Sequence, residues 1–156
     1  MLQQLIVRNF ALIQEATVNF DRAYTVITGE TGSGKSIFLN ALNLILGERA
    51  DYKVIGTSGD KAIVEAVFQI DLKEHQSFFE AHDIDIDKET IVRREITTQG
   101  RSRAFINDVP VQLNVLKEFT ERLVSVHSQY NTLELKRKDF QMHTLDLLAN
   151  TKELQQ

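Results

Sequence analysis

Eight consecutive residues carry the clearest chemistry in the chain: Gly29-Glu30-Thr31-Gly32-Ser33-Gly34-Lys35-Ser36. They satisfy the phosphate-binding loop pattern G-x-x-x-x-G-K-[ST] without departure. Each residue type has a physical task. The glycines admit positive φ and let the backbone approach a phosphate closely. Successive N–H groups then face the anion, and a helix that starts at the loop adds the positive end of its dipole. Lys35 would reach the β- and γ-phosphates. The Ser36 hydroxyl is a hard oxygen ligand of the kind Mg2+ accepts. Residues 29–37, Ile37 included, are therefore the expected nucleotide contact, with ATP and Mg2+ the expected ligands. A glycine-rich turn with a chance lysine is the bland alternative, and context decides between the two.

The context such a loop needs is an apolar strand before it and an amphipathic helix after it. Tyr24-Thr25-Val26-Ile27-Thr28 is rich in β-branched residues and predicts a strand of the kind buried in a sheet centre. Residues 35–46 carry Ile37, Phe38, Ala41, Leu42, Ile45 and Leu46 at helical spacing, with Gly47 as a helix stop. Two short strands are predicted before this unit, over 2–8 and 13–20. After it, residues 47–60 hold three glycines and predict a loop, whose stretch Arg49–Gly59 is expected to be mobile and could close over nucleotide. Alternation predicts a strand over 61–70, and a helix is expected over 72–81. The acidic run 83–87 is expected to be a solvated turn. Residues 90–97 and 103–107 predict a hairpin turning at Gln99-Gly100, with a second turn at Asn107-Asp108. A helix over 112–120, a strand over 122–127 and a helix from 132 to the end are the remaining elements. A strand that feeds a helix, within such a mixture, makes the fold class α/β.

Composition bounds the rest. The chain has 156 residues, 42% hydrophobic and 26% charged, which suits one folded domain with a real core. With no cysteine there is no disulfide framework and no thiolate metal site. Eighteen basic against 22 acidic residues give a net charge of −4, which argues against coating nucleic acid by bulk charge. No stretch approaches the roughly 20 apolar residues of a membrane span. Met1–Arg8 lacks the features of a signal peptide, so a cytoplasmic protein is expected.

Other candidate sites are weaker. Arg93, Arg94, Arg101 and Arg103 fall on the predicted hairpin. They either contact phosphate, of DNA or of nucleotide, or form a solvated face partly offset by Glu95. Lys136-Arg137-Lys138 reads as a solvated helix face. His75, His82, His127 and His143 do not have the i, i+4 spacing of a helical zinc site. Hydrolysis also needs an acidic residue at the end of an apolar strand. The two nearest runs are interrupted, one by Gln69 before Asp71 and one by Asn107 before Asp108.

Several motifs occur together in a telling order. These are Arg8-Asn9-Phe10-Ala11-Leu12-Ile13, the loop beginning Gly29-Glu30-Thr31-Gly32, and Leu46-Gly47-Glu48-Arg49-Ala50-Asp51. Further along come Arg93-Arg94-Glu95-Ile96, Gly100–Asn107 and Val126-His127-Ser128-Gln129. Together they resemble the RecN family of bacterial DNA-repair ATPases, related to SMC proteins. The resemblance runs over about residues 2–150. It departs at Ser33, Ser128 and Tyr130, where the family usually has Ala, Gly and His.

The resemblance implies an ABC-type ATPase head whose N-terminal lobe, with a mixed sheet and flanking helices, carries the phosphate loop and a Q-loop. A coiled-coil insertion then separates it from a signature motif and an acidic strand, neither of which is found in this sequence. It implies a role for Gln129 as a ligand of magnesium and the attacking water. A neutral side chain with both a donor and an acceptor suits that role. It places Asn9 and Phe10 near the base of the nucleotide, although a core Phe beside a turn Asn is the simpler reading. It implies a lobe over 1–135 and a helix over 136–156 that leads toward the coiled coil. Full-length partners would be ATP, DNA and a second head, with no membrane, in the bacterial cytoplasm at the nucleoid. A fragment of this kind is expected to bind ATP and to hydrolyse it poorly. A free-standing small P-loop kinase and a lobe that no longer binds nucleotide are the alternatives.

Overall fold

The computed structural model describes residues 1–22, 24–29, 34–124 and 126. The chain divides into two compact units, Met1–Val124 and Ser125–Gln156, and every strand and helix among the described residues lies in the first. Its frame is one six-stranded sheet in the order β2-β1-β3-β4-β5-β6. β1 (Leu2–Phe10) and β2 (Ile13–Asn19) form a hairpin, and β3 (Lys61–Gln69) adds to the other side of β1. β4 (Glu89–Thr97), β5 (Ser102–Ile106) and β6 (Val109–Val111) extend the sheet. Every pairing is antiparallel, so the parallel component of a mixed sheet does not occur among the described residues.

Side chains alternate across these strands, and the alternation sorts them into two faces. Leu5, Val7, Val64, Phe68, Val92, Ile96 and Ile106 point to the buried face. Three helices supply the rest of the core: α1 (Lys35–Ile45), α2 (Leu72–Ala81) and α3 (Leu113–Leu123). They contribute Ala41, Leu44 and Ile45 from α1, Phe78 and Phe79 from α2, and Leu116 and Phe119 from α3. Phe119 stacks on Phe78 at 5.1 Å and meets Phe79 edge-on at 5.3 Å. Burying each such ring is worth about 1.5–3 kcal/mol.

The predicted hairpin and the second turn are both present. Gly100 turns β4 into β5, with Gly100 N–H bonded to the Thr97 carbonyl. Asn107 and Asp108, both at positive φ, turn β5 into β6. β6 itself was not expected; its Pro110 is tolerated because β6 is the edge strand among the described residues, where a missing N–H costs no ladder bond.

Two expectations are corrected. Tyr24–Thr28 is not a strand: residues 24–29 have no regular structure. Tyr24 is 83% exposed and Val26 62%. The β-branched run suits a buried strand, but no described strand lies beside it to take its N–H and C=O groups. The strand expected over 122–127 is not found among the described residues: Arg122 and Leu123 are the last residues of α3, and 124 and 126 have no regular structure. Leu116, Phe119 and Leu123 continue the helical spacing, and Arg122 pairs with Glu118 one turn back at 2.7 Å. Val124 is extended, and residues 127 onward, with the expected C-terminal helix, lie outside the described residues.

Candidate functional site: the start of α1 and what holds it

The described part of the phosphate loop is its two ends. Gly34 precedes α1 at φ 97°, a conformation that strongly disfavours a side chain. Its carbonyl accepts the first helical bond, from Phe38 N–H at 2.9 Å. Gly34, as N-cap, brings no side chain to the helix start, and no acidic residue lies in the first turn. The positive end of the α1 dipole therefore meets no carboxylate of its own first turn and favours an anion. Lys35 and Ser36 are exposed in that first turn, and Lys35 Nζ donates to the Gly29 carbonyl, joining the two ends of the loop. Ile37 packs against the core and fixes the roll of the helix. Together these features fit a phosphate chain with its magnesium ion: the N–H groups of a helix start, one ammonium and one hydroxyl on a single helical turn. Glu30, Thr31, Gly32 and Ser33 lie outside the described residues, as do Gln129, His127 and the basic run 136–138.

The far end of α1 is held by a residue expected elsewhere. Arg94, on β4, is 1% exposed. Its Nη1 donates to the Leu44 carbonyl at 2.9 Å and to the Glu48 carbonyl at 3.1 Å. Its Nη2 donates to Ser102 Oγ at 2.7 Å. The four-arginine cluster predicted on the hairpin is thus split by the pleat. Arg94 turns inward, where burial lowers its pKa from the ordinary arginine value. Arg93 turns outward to Asp108 at 2.8 Å and lies over the Phe105 ring. Arg101 and Arg103 are exposed and line a surface groove with Lys61, Asp60 and Glu95.

The loop after α1 is fastened, not mobile. Asn9, at φ 49° and 8% exposed, is the fastener. Its Nδ2 donates to the carbonyls of Gly59 and Lys61 at 3.0 and 2.9 Å, and its Oδ1 accepts from Ser58 N–H at 2.9 Å. Its own carbonyl accepts from Gly56 N–H at 2.8 Å. A Cβ at Gly56 would stand 2.5 Å from Asn9 Oδ1, so this glycine serves close approach. Ala11 N–H bonds to the Val54 carbonyl, and Phe10 bridges to Ile55. Phe10 is a core residue, 1% exposed, and not a surface for a base. The glycines suggested mobility; the bonds that remove it come from a residue about fifty positions earlier, which local composition cannot show. His75 packs edge-on against Phe119 at 5.9 Å.

Comparison with known proteins adds the family. The model of a family described as an AAA domain matches residues 4–156. The DNA repair protein RecN of Vibrio cholerae is 39% identical over 99% of this chain. RecN of Haemophilus influenzae is 36% identical over 99%, and RecN of Bacillus subtilis 36% over 96%. The chain spans only 26–28% of the length of these relatives. Among solved structures, a chain from work on ATP-driven dimerization and DNA-stimulated activation of SMC ATPases superposes at TM-score 0.66. It is 19% identical, with 92% of this chain and 96% of that one covered. The SMC head domain from Thermotoga maritima superposes at 0.60, with 24% identity and 76% and 41% covered. At those identities the likeness shows the fold, which is that of an ATPase head. The chain belongs to the AAA domain family, and the resemblance to RecN carried by its motifs holds over nearly its whole length.

Proposed function

We propose that the chain binds ATP with Mg2+ through residues 29–37 and forms the N-terminal lobe of the head of a RecN-like DNA double-strand break repair ATPase. The observation that carries this is α1: Lys35 and Ser36 open a helix directly after a glycine at positive φ, with no first-turn carboxylate to repel an anion. Gln129 is assigned to magnesium and the attacking water. The lobe spans residues 1–135, and residues 136–156 lead toward a coiled coil.

ATP binding and hydrolysis would drive engagement of two heads and change how the full-length protein holds DNA, in the bacterial cytoplasm at the nucleoid. No described helix is long and apolar enough to cross a membrane. The exposed apolar run Tyr24, Val26 and Ile27 supports a composite head, since a strand-forming segment without neighbours suits pairing with strands from elsewhere in the longer protein. The β1–β2 hairpin ahead of the loop counts against a small kinase, which generally places its loop after its first strand.

A turnover assay on the isolated chain tests this function. Saturable MgATP binding is expected, with phosphate release below about 1 per second, the low end of ordinary enzyme rates. Turnover well inside that ordinary range would establish a self-sufficient enzyme and overturn the proposal.

A further inference from the structure

We infer that Arg94 is a positioning residue that couples the phosphate end of α1 to the β4–β5 hairpin, through its bonds to the helix end and to Ser102. The inference rests on the nucleotide reading of α1 given above.

Arg94 joins three segments that are far apart in sequence. Leu44 belongs to α1, Glu48 to the turn after it, and Ser102 to the first position of β5. No described carboxylate forms an ion pair with the buried guanidinium. Its charge is answered by the Leu44 carbonyl in the last turn of α1, where the helix dipole is negative, and by the Glu48 carbonyl just beyond it. The helix has no basic residue of its own in its last turn, so Arg94 supplies the cation from the sheet. An anion at the start of α1 and the guanidinium at its end would thus act on the two ends of one dipole.

α1 has 11 residues and is about 16 Å long. A single packed helix of that length moves as a rod, and a shift at Lys35 is felt at Leu44. The planar fork of the guanidinium passes that shift on, because Nη1 and Nη2 are fixed relative to each other. Nη1 holds the helix end and Nη2 holds Ser102, between the exposed Arg101 and Arg103. The Nε group has no hydrogen-bond partner among the described residues, so the fork is anchored through its two tips. The hairpin that presents two cations to solvent is thereby connected to the nucleotide end of the helix.

Hydrogen exchange with and without MgATP tests this on the chain as it stands. In the wild type, MgATP should slow exchange in the first turns of α1 and, by about fivefold, in the hairpin amides 97–103. Ser102→Ala removes only the distal bond. It should bind MgATP and keep the α1 response while losing that of the hairpin. Arg94→Lys should do the same, since one ammonium cannot span both tips of the fork. A merely structural Arg94 would lower stability in these variants and leave the nucleotide-dependent difference intact. Two outcomes overturn the coupling: a wild-type hairpin that does not respond while α1 does, or a full hairpin response in Ser102→Ala. Absence of any MgATP binding by the wild type is a different failure, which removes the nucleotide reading and the coupling with it.

Discussion

Arg93 and Arg94 are consecutive in sequence and lie on opposite faces of β4. The guanidinium of Arg93 meets Asp108 at 2.8 Å on the open face of the sheet. That of Arg94 is buried against the Leu44 carbonyl at 2.9 Å. The pleat alone separates them, because successive side chains of a strand point to opposite sides. One arginine thus belongs to the surface and the other to the support of the phosphate-loop helix.

Replacing Arg94 should therefore be costly. Arg94→Met removes a buried cation and leaves the Leu44 and Glu48 carbonyls without that donor. The expected loss is about 3 kcal/mol, the range for breaking a buried charged network. Urea unfolding of the variant beside the wild type measures it. A loss under about 0.5 kcal/mol, the size of an ordinary surface change, would contradict the burial of this side chain.

The exposed arginines give the contrast. Arg101→Ala and Arg103→Ala should each stay within about 0.5 kcal/mol of wild type. Arg93→Ala should cost about 1 kcal/mol, from its ion pair with Asp108 and its place over the Phe105 ring. Thermal unfolding of the three single variants ranks them.

Asn9 should be hard to replace. Asn9→Ala loses three side-chain hydrogen bonds and puts an alanine at φ 49°. The expected cost is about 2–4 kcal/mol, with faster hydrogen exchange at Ser58. Gly56→Ala attacks the same junction from the other side, because the new Cβ would meet Asn9 Oδ1. It should destabilise by about 1–3 kcal/mol, as overpacking does.

The metal role of Ser36 has its own signature. Ser36→Ala should weaken ATP affinity in Mg2+ more than in a chelator, because only the metal-bound form uses the hydroxyl. Isothermal titration in both conditions separates the two. Equal losses would contradict the assigned role.

Much of this molecule was legible in its letters. Ile37, Ala41 and Ile45 marked the helix after the loop pattern by their spacing, and that helix starts at Lys35 as the pattern requires. The β4–β5 hairpin was readable from alternation and a glycine turn. What stayed hidden was long-range. Tyr24–Thr28 has the composition of a central strand, yet strand formation depends on a neighbour that composition does not reveal. The loop over 47–60 reads as mobile until Asn9 is seen to bind it. The alternation of β4 contained the signal that Arg94 points inward with Val92 and Ile96. It was obscured because a buried arginine is rare and two of its partners, the Leu44 and Glu48 carbonyls, are backbone atoms that have no letter in a sequence.

Binding of the ATP phosphates by Lys35 and its loop stands or falls on equilibrium titration of the chain with ATP in excess Mg2+. One saturable site is expected in the wild type. A folded Lys35→Ala variant should lose affinity by at least about tenfold, or about 1.4 kcal/mol. Lys35 is exposed, so the variant should unfold at nearly the wild-type temperature. Undiminished affinity in Lys35→Ala, or no saturable binding in the wild type, would contradict the phosphate-binding role.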